Sequence, residues 1–211
     1  MEILAHRGVW DSNDEKNSKI AIQSAFAHSW GIETDIRDYL ENLVISHDVS
    51  THNNFTFAQL LDFRKLGGRK GTLGLNIKAD GLSDILLEEL KAEGISDYFV
   101  FDMSIPETLR YLKLGMNVFL RSSEYEVLND TLLLQVQGIW LDGFTKIWYD
   151  REFVDSHLGM GKKIAFVSCE LHNRNQIGLW ELIKKNNWHF NNNVMLCTDL
   201  PFDAVKFFEK T

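Results

Sequence analysis

Short apolar runs alternate with longer stretches whose apolar residues recur at the helical period, from one end of the chain to the other. This is the pattern of βα units rather than of separate β and α halves. Strands are expected at Glu2–Arg7, Gly31–Ile36, Leu73–Ile77, Tyr98–Asp102, Asn117–Arg121, Gly138–Asp142, Lys163–Ser168 and Val194–Thr198, with Leu43–His47 added beside the second. Each is about the length of a buried parallel strand. Between them the periodicity predicts helices over Ser18–His28, Thr56–Lys65, Ser83–Glu93, Pro106–Leu114, Tyr125–Gln135, Asp150–Leu158, Ile177–Asn187 and Phe202–Lys210. Ile85-Leu86-Leu87 and Leu90, interleaved with Glu88, Glu89, Lys91 and Glu93, mark the clearest of these. Pro106 and Pro201 fall at strand-to-helix junctions, where a fixed φ suits the first helical turn. Gly31, Gly94, Gly115, Gly138 and Gly161 stand at or just before strand starts, where left-handed helix caps are expected.

Eight units in 211 residues leave roughly 26 residues each, near the lower limit for a closed (β/α)8 barrel. A doubly wound open sheet uses the same units, but no G-x-G-x-x-G follows the first strand. With 2 Pro, 14 Gly and 12% aromatic residues, the composition predicts one compact α/β domain over residues 1–211. The loop Gly67-Gly68-Arg69-Lys70-Gly71 reads as a solvated turn.

Charge narrows the partners. The 22 Lys and Arg against 30 Asp and Glu give a net charge of −8, which supplies no basic face for nucleic acid or an anionic membrane. An anionic ligand must be met locally. Cys169 and Cys197 form no C-x-x-C pair and sit in apolar contexts, so neither a disulfide scaffold nor a thiolate zinc site is expected. The first residues carry no basic segment followed by an apolar one, and a cytoplasmic location is expected.

In a (β/α)8 barrel, ligand-facing groups gather at the carboxyl ends of the strands. There the chain carries His6-Arg7-Gly8, Glu33-Thr34-Asp35, His47-Asp48, Lys78-Ala79-Asp80, Asp102 and Arg121. Glu33 and Asp35 are two apart, so on a strand both point the same way, roughly 7 Å apart, as a pincer for a hard divalent cation. A solvated strand face is the alternative for such a pair, although a central parallel strand has none. His6 and His47 suit proton transfer near neutral pH, and Arg7 offers a planar donor fork for phosphate. Around the far rim, Arg121, Glu124, Asp142, Glu170 and His172 are candidates either for leaving-group recognition or for surface ion pairs. Trp10, Trp140 and Trp148 are candidates for stacking on a ligand or for the core.

The ordered set His6-Arg7-Gly8, Glu33-x-Asp35, His47-Asp48 and Thr198-Asp199-x-Pro201 resembles the glycerophosphodiester phosphodiesterase family, a family of (β/α)8 barrels. The resemblance runs from the first strand to the last. It implies a phosphoric diester hydrolase in which His6 and His47 act as general acid and base, Arg7 holds phosphate, and Glu33 and Asp35 bind a divalent cation, Mg²⁺, Ca²⁺ or Mn²⁺. The stretch Val49–Thr72 is too short for the family's extra subdomain. Two departures stand out. The family's P-E-N-T/S becomes Glu15-Lys16-Asn17-Ser18, and its L-N-I-E-x-K becomes Leu75-Asn76-Ile77-Lys78-Ala79-Asp80, so acid and base trade places. In one reading Asp80 completes the metal shell, with Asp102 as competitor, while Lys78 contacts phosphate. In the other, Lys78 replaces the cation, as in bacterial phosphatidylinositol-cleaving relatives, and Glu33 and Asp35 orient Lys78 and Arg7.

The expected ligand is a small-molecule phosphodiester: a glycerophosphodiester, a nucleotide-linked diester or a surface-polysaccharide intermediate. A catalytically silent barrel that binds phosphorylated ligands is the non-enzymatic alternative.

Overall fold

The computed structural model describes residues 1–209, and Lys210, the end of the expected last helix, lies outside them. Packing divides the chain into two compact units, Ala5–Val118 and Met1–Leu4 with Phe119 onward. The elements alternate as the pattern predicts, beginning with β1 (Glu2–His6) and α1 (Lys19–Ala27). In the unit Ala5–Val118, β2 (Gly31–Tyr39) lies parallel to β4 (Leu73–Ile77), and β4 parallel to β5 (Tyr98–Phe101). A short β3 (Asn42–Ile45) pairs antiparallel with the end of β2. The helices of this unit are α1, α2 (Phe57–Leu66), α3 (Ser83–Ala92) and α4 (Ile105–Lys113).

The other unit holds the parallel strands β6 (Phe119–Ser122), β7 (Gly138–Leu141), β8 (Lys163–Val167) and β9 (Val194–Thr198), hydrogen-bonded in that order. Its helices are α5 (Asp130–Leu133), α6 (Arg151–Gly159), α7 (Ile177–Lys185) and α8 (Pro201–Glu209). Among the described residues no helix is long and apolar enough to cross a membrane.

Local chemistry sets these boundaries. Ser18 accepts from the Ala21 amide at 3.1 Å, Asp150 from that of Phe153 at 2.9 Å, and Thr56 and Gln59 cap α2 reciprocally. The strands are buried along most of their length, and Ile32, Ile36, Leu75, Val100, Ile139, Ile164 and Leu196 are fully buried. Each such side chain stabilises the fold by about 1.5–3 kcal/mol. In each unit a strand glycine makes room for a neighbouring ring. A Cβ on Gly74 would lie 2.8 Å from the Phe99 ring, and one on Gly138 would lie 2.5 Å from the Phe119 ring.

Three expectations are corrected. Gly94, Gly115 and Gly161 have positive φ, but Gly31 and Gly138 do not; they are strand residues, and Gly138 is required by the Phe119 ring. The helix expected over Tyr125–Gln135 shrinks to α5, Asp130–Leu133. Ser123 and Glu126 exchange backbone hydrogen bonds, which closes a tight turn where the helix would start, and Asn129 then caps α5. Finally, β2 continues to Tyr39 and turns into β3 through Leu40 and Glu41, both at positive φ (47° and 64°), the backbone of a two-residue hairpin turn.

Candidate active site

His6 ends β1, and the chain then reverses through Arg7 (φ 58°) and Gly8 (φ 92°). A Cβ at Gly8 would sit 2.5 Å from the Ala21 carbonyl carbon, so α1 packs against a position where only glycine fits. The reversal turns Arg7 back on β2. Its backbone N–H donates to the Glu33 carbonyl at 2.8 Å, and its Nε lies 2.9 Å from Asp35 Oδ2. The Trp10 indole donates to the His6 carbonyl at 3.0 Å and so fixes the backbone that carries the imidazole.

Period-two geometry turns Glu33 and Asp35 to one side of β2, and both are buried. Their surroundings differ. Asp35 is ringed by donors: Arg7 Nε and Asn17 Nδ2, at 2.9 and 2.8 Å from Oδ2, and Lys78 Nζ, 3.1 Å from Oδ1. Asn17, eighteen residues away in sequence, is itself positioned by Thr34, whose hydroxyl donates to Asn17 Oδ1 at 2.8 Å. Burial opposes ionisation of Asp35, but Arg7, Lys78 and the Asn17 hydrogen bond outweigh it and hold the carboxyl below its usual range.

Glu33 has no such ring. Its Oε2 is buried without a hydrogen-bond partner among the described residues and lies 3.7 Å from His6 Nε2. Burial first, and the Asp35 charge second, push its carboxyl up to about 8. Asp102 (φ 68°) adds to the same negative potential and accepts from Asn76 Nδ2 at 3.0 Å. Arg7, Asn17 and Asp102 thus all occupy left-handed backbone around one carboxylate pair. Such conformations cost of order 1 kcal/mol or more for non-glycine residues and cluster where function over-determines the backbone.

Two expected members have partners outside this cluster. Because β4 ends at Ile77, the alternation that would align Asp80 with Lys78 stops short of it, and Asp80 accepts from the Ser104 hydroxyl at 3.2 and 3.3 Å. His47 is half-exposed, at 49%, with Nδ1 3.0 Å from Asp48 Oδ1. The residue before it, Ser46, ties this rim to β2 by donating its N–H to the Asp35 carbonyl at 3.1 Å.

A divalent cation takes oxygen ligands. Both oxygens of Asp35 already face other partners, Lys78 at Oδ1 and Arg7 with Asn17 at Oδ2, and Asp80 is engaged with Ser104. Among the described residues no three His, Cys, Asp or Glu side chains group so as to hold a metal ion. The residues present do not fit a divalent cation.

In the unit that holds β6–β9, Arg121 makes a bidentate pair with Glu126, at 2.5 and 3.0 Å, and lies over Phe144. Glu124 accepts from the amides of Phe144 and Thr145 and from the Thr145 hydroxyl. Burial works against ionisation there, but these bonds win and hold its carboxyl down to about 2. Asp142 accepts from His172 Nε2 and the Gly143 amide, both at 2.7 Å. Glu170 accepts from Ser168, Thr198 and the Asp199 amide. Of the tryptophans, Trp140 is core and Trp148 donates to the Asp142 carbonyl while its ring packs on Tyr149 and Phe153. Trp10 is tied to the cluster around His6, with the Lys16 ammonium 4.3 Å from its ring centroid. Sequence reasoning missed Glu126 as the partner of Arg121, and Asn17 as the donor to Asp35. A carboxylate five residues beyond an arginine, and an asparagine just before a helix cap, were the available signals.

No family model and no curated protein matches the chain. Solved structures do. A phosphodiesterase of Oleispira antarctica, in complex with the product sn-glycerol-3-phosphate, superposes with a TM-score of 0.73 at 14% identity, covering 100% of this chain and 97% of that one. Glycerophosphodiester phosphodiesterases of Parabacteroides distasonis (TM-score 0.70, 14% identity, 98% and 96% covered) and Agrobacterium tumefaciens (0.67, 10%, 99% and 98%) are similar over the same length. The fold is a (β/α)8 barrel. The barrel has the topology of these phosphodiesterases at 10–14% identity.

Proposed function

We propose that the barrel hydrolyses a small phosphodiester at the cluster around Asp35. The observation that carries this reading is the pair of cations, Arg7 and Lys78, aimed by one buried carboxylate, with the His6 imidazole on the adjacent strand. A phosphodiester is an anion whose negative charge grows as the nucleophile adds, and preorganised donors favour that growth. Arg7 and Lys78 hold the non-bridging phosphate oxygens. Water, or a hydroxyl of the substrate, attacks phosphorus as the bond to the leaving oxygen breaks. One histidine, His6 or His47, takes the nucleophile's proton and the other gives a proton to the departing alkoxide, leaving a phosphomonoester and an alcohol when water attacks. Glu33, behind His6, orients the imidazole. The glycerol phosphate bound in the Oleispira structure favours a glycerol-type diester over nucleotide-linked or polysaccharide-linked ones.

Leaving-group dependence tests the assignment. On an alkyl diester, His6→Ala and His47→Ala should each lower kcat/KM by a factor on the order of 10²–10⁴. On an aryl diester, whose leaving group needs no acid, only the variant that lacks the base should stay slow. Near wild-type rates for either variant on the alkyl diester would remove that histidine from the mechanism.

A further inference from the structure

We propose that Lys78 serves this site as a built-in cation, so that its phosphate ligand is bound and turned over without a divalent metal; this rests on the phosphodiesterase reading above.

Three observations carry it. The Lys78 ammonium lies 3.1 Å from Asp35 Oδ1, where it takes up the oxygen that a cation shared with Glu33 would need. The other oxygen of Asp35 is committed to Arg7 and Asn17. Charge is the second point: three carboxylates, Glu33, Asp35 and Asp102, share one potential with two permanent cations, Arg7 and Lys78. An incoming dication would be repelled at close range by those two cations, which are only 19% exposed. Third, the relocated carboxylate does not repair the shell: Asp80 lies beyond the end of β4 and is held by Ser104.

The same facts say where the phosphate goes. Asp35 engages Arg7 through Nε, and five-donor guanidinium geometry leaves its terminal N–H groups to point onward. An ammonium carries three donors, and its 3.1 Å ion pair with Asp35 Oδ1 leaves donors for a phosphate oxygen. Asp35 therefore acts as a positioning residue that aims two cationic donors at one anion while neutralising half of their charge.

Three readings on purified protein decide the matter. Chelator treatment should leave the rate on a phosphodiester within a factor of about two, and Mn²⁺ titration of the wild type, followed by electron paramagnetic resonance, should reveal no stoichiometric site. Lys78→Met should weaken inorganic phosphate binding by on the order of tenfold, with Lys78→Arg retaining it. Lys78→Glu, which removes the ammonium and adds a carboxylate beside Asp35, should acquire one Mn²⁺ site. Stoichiometric Mn²⁺ binding by the wild type would overturn the proposal, as would phosphate affinity unchanged in Lys78→Met. Absence of turnover on every diester would defeat the phosphodiesterase reading alone, because the manganese and phosphate titrations do not depend on catalysis.

Discussion

Asp35 and Asp142 are both buried carboxylates at the carboxyl ends of parallel strands, one in each unit, and they are held in opposite ways. Asp35 meets two permanent cations and an amide. Asp142 meets one imidazole and the backbone N–H of its own neighbour, Gly143. An imidazole can be neutral and a guanidinium cannot, so the charge of Asp35 is an obligate part of its surroundings. The carboxylate of Asp142 locks a local turn, since Gly143 and the Trp148 indole bond to the two ends of the same residue. The carboxylate of Asp35 instead holds β2 to the reversal after β1, to Asn17 and to the end of β4, segments far apart in sequence. The first arrangement gathers charge from distant segments; the second organises local backbone.

The sharpest way to break this contrast is to neutralise each aspartate without changing its shape. Asp35→Asn strands two cations in a site where Asp35 itself is fully buried, and removal of one partner from a buried pair costs about 3–5 kcal/mol. Asp142→Asn keeps an acceptor for Gly143 and for the neutral tautomer of His172, so its cost should stay near ~1 kcal/mol. Urea denaturation of the two variants reads the difference directly. Equal losses would mean that the ring of cations around Asp35 is ordinary packing.

The strand ladder was legible in the chain because buried parallel strands are written as continuous apolar runs: β4 and β9 have the expected bounds, Leu73–Ile77 and Val194–Thr198. The eight-unit barrel followed from the same count, and the solved barrels of the same topology agree with it. The failures have a common cause. The stretch from Tyr125 to Gln135 carries helical spacing, but the Ser123–Glu126 turn and the Arg121–Glu126 pair are decided by contacts that no periodicity records. For the site, the i, i+2 spacing of Glu33 and Asp35 told which residues share a face, and the inverted Lys78 told that a cation comes near them. Which cation would pair with which oxygen was not written there. That depends on positive φ at Arg7, a residue type that seldom adopts it, on the reach of Asn17 across eighteen residues, and on β4 stopping at Ile77 before Asp80 can align.

Glu33 offers a second, smaller test, because it is the carboxylate of the pair whose Oε2 is buried without a hydrogen-bond partner among the described residues. Burial and then Asp35 raise it from 4.5 to about 8, so the folded protein keeps a proton that the unfolded chain releases. The stability this contributes is fully present below about 4.5 and is lost as the pH climbs to about 8. In Glu33→Gln the side chain cannot ionise. Across that window the variant should lose stability less steeply than the wild type, by up to about 1.4 kcal/mol per pH unit. Asp35 shifts the other way, so its contribution is lost only in acid, below the ordinary aspartate range, and does not confuse the comparison. Denaturation curves with equal pH slopes for wild type and Glu33→Gln would show that Glu33 is ionised in the folded protein, and would make it a partner for His6 in charge rather than a neutral neighbour.

The smallest effect is expected at Arg121, the guanidinium whose setting differs most from that of Arg7. Arg7 faces a fully buried acid; Arg121 and Glu126 are 33% and 42% exposed, and water screens their attraction. The pairing is bidentate, but its geometry serves the short turn from Ser123 to Glu126, where Ser123 also donates to the Glu126 carboxylate. Arg121→Ala should therefore cost under ~1 kcal/mol, and 1 M salt should erase most of that. The same substitution separates the two roles open to this residue. A guanidinium occupied by Glu126 leaves KM for the phosphodiester nearly unchanged, whereas one that releases Glu126 to grip the leaving group raises KM on the order of tenfold with little change in kcat, the signature of lost uniform binding. Because Arg7→Ala removes the proposed phosphate contact and unbalances Asp35 together, it should lower kcat/KM far more, and only a comparable loss at Arg121 would place the two arginines in the same class.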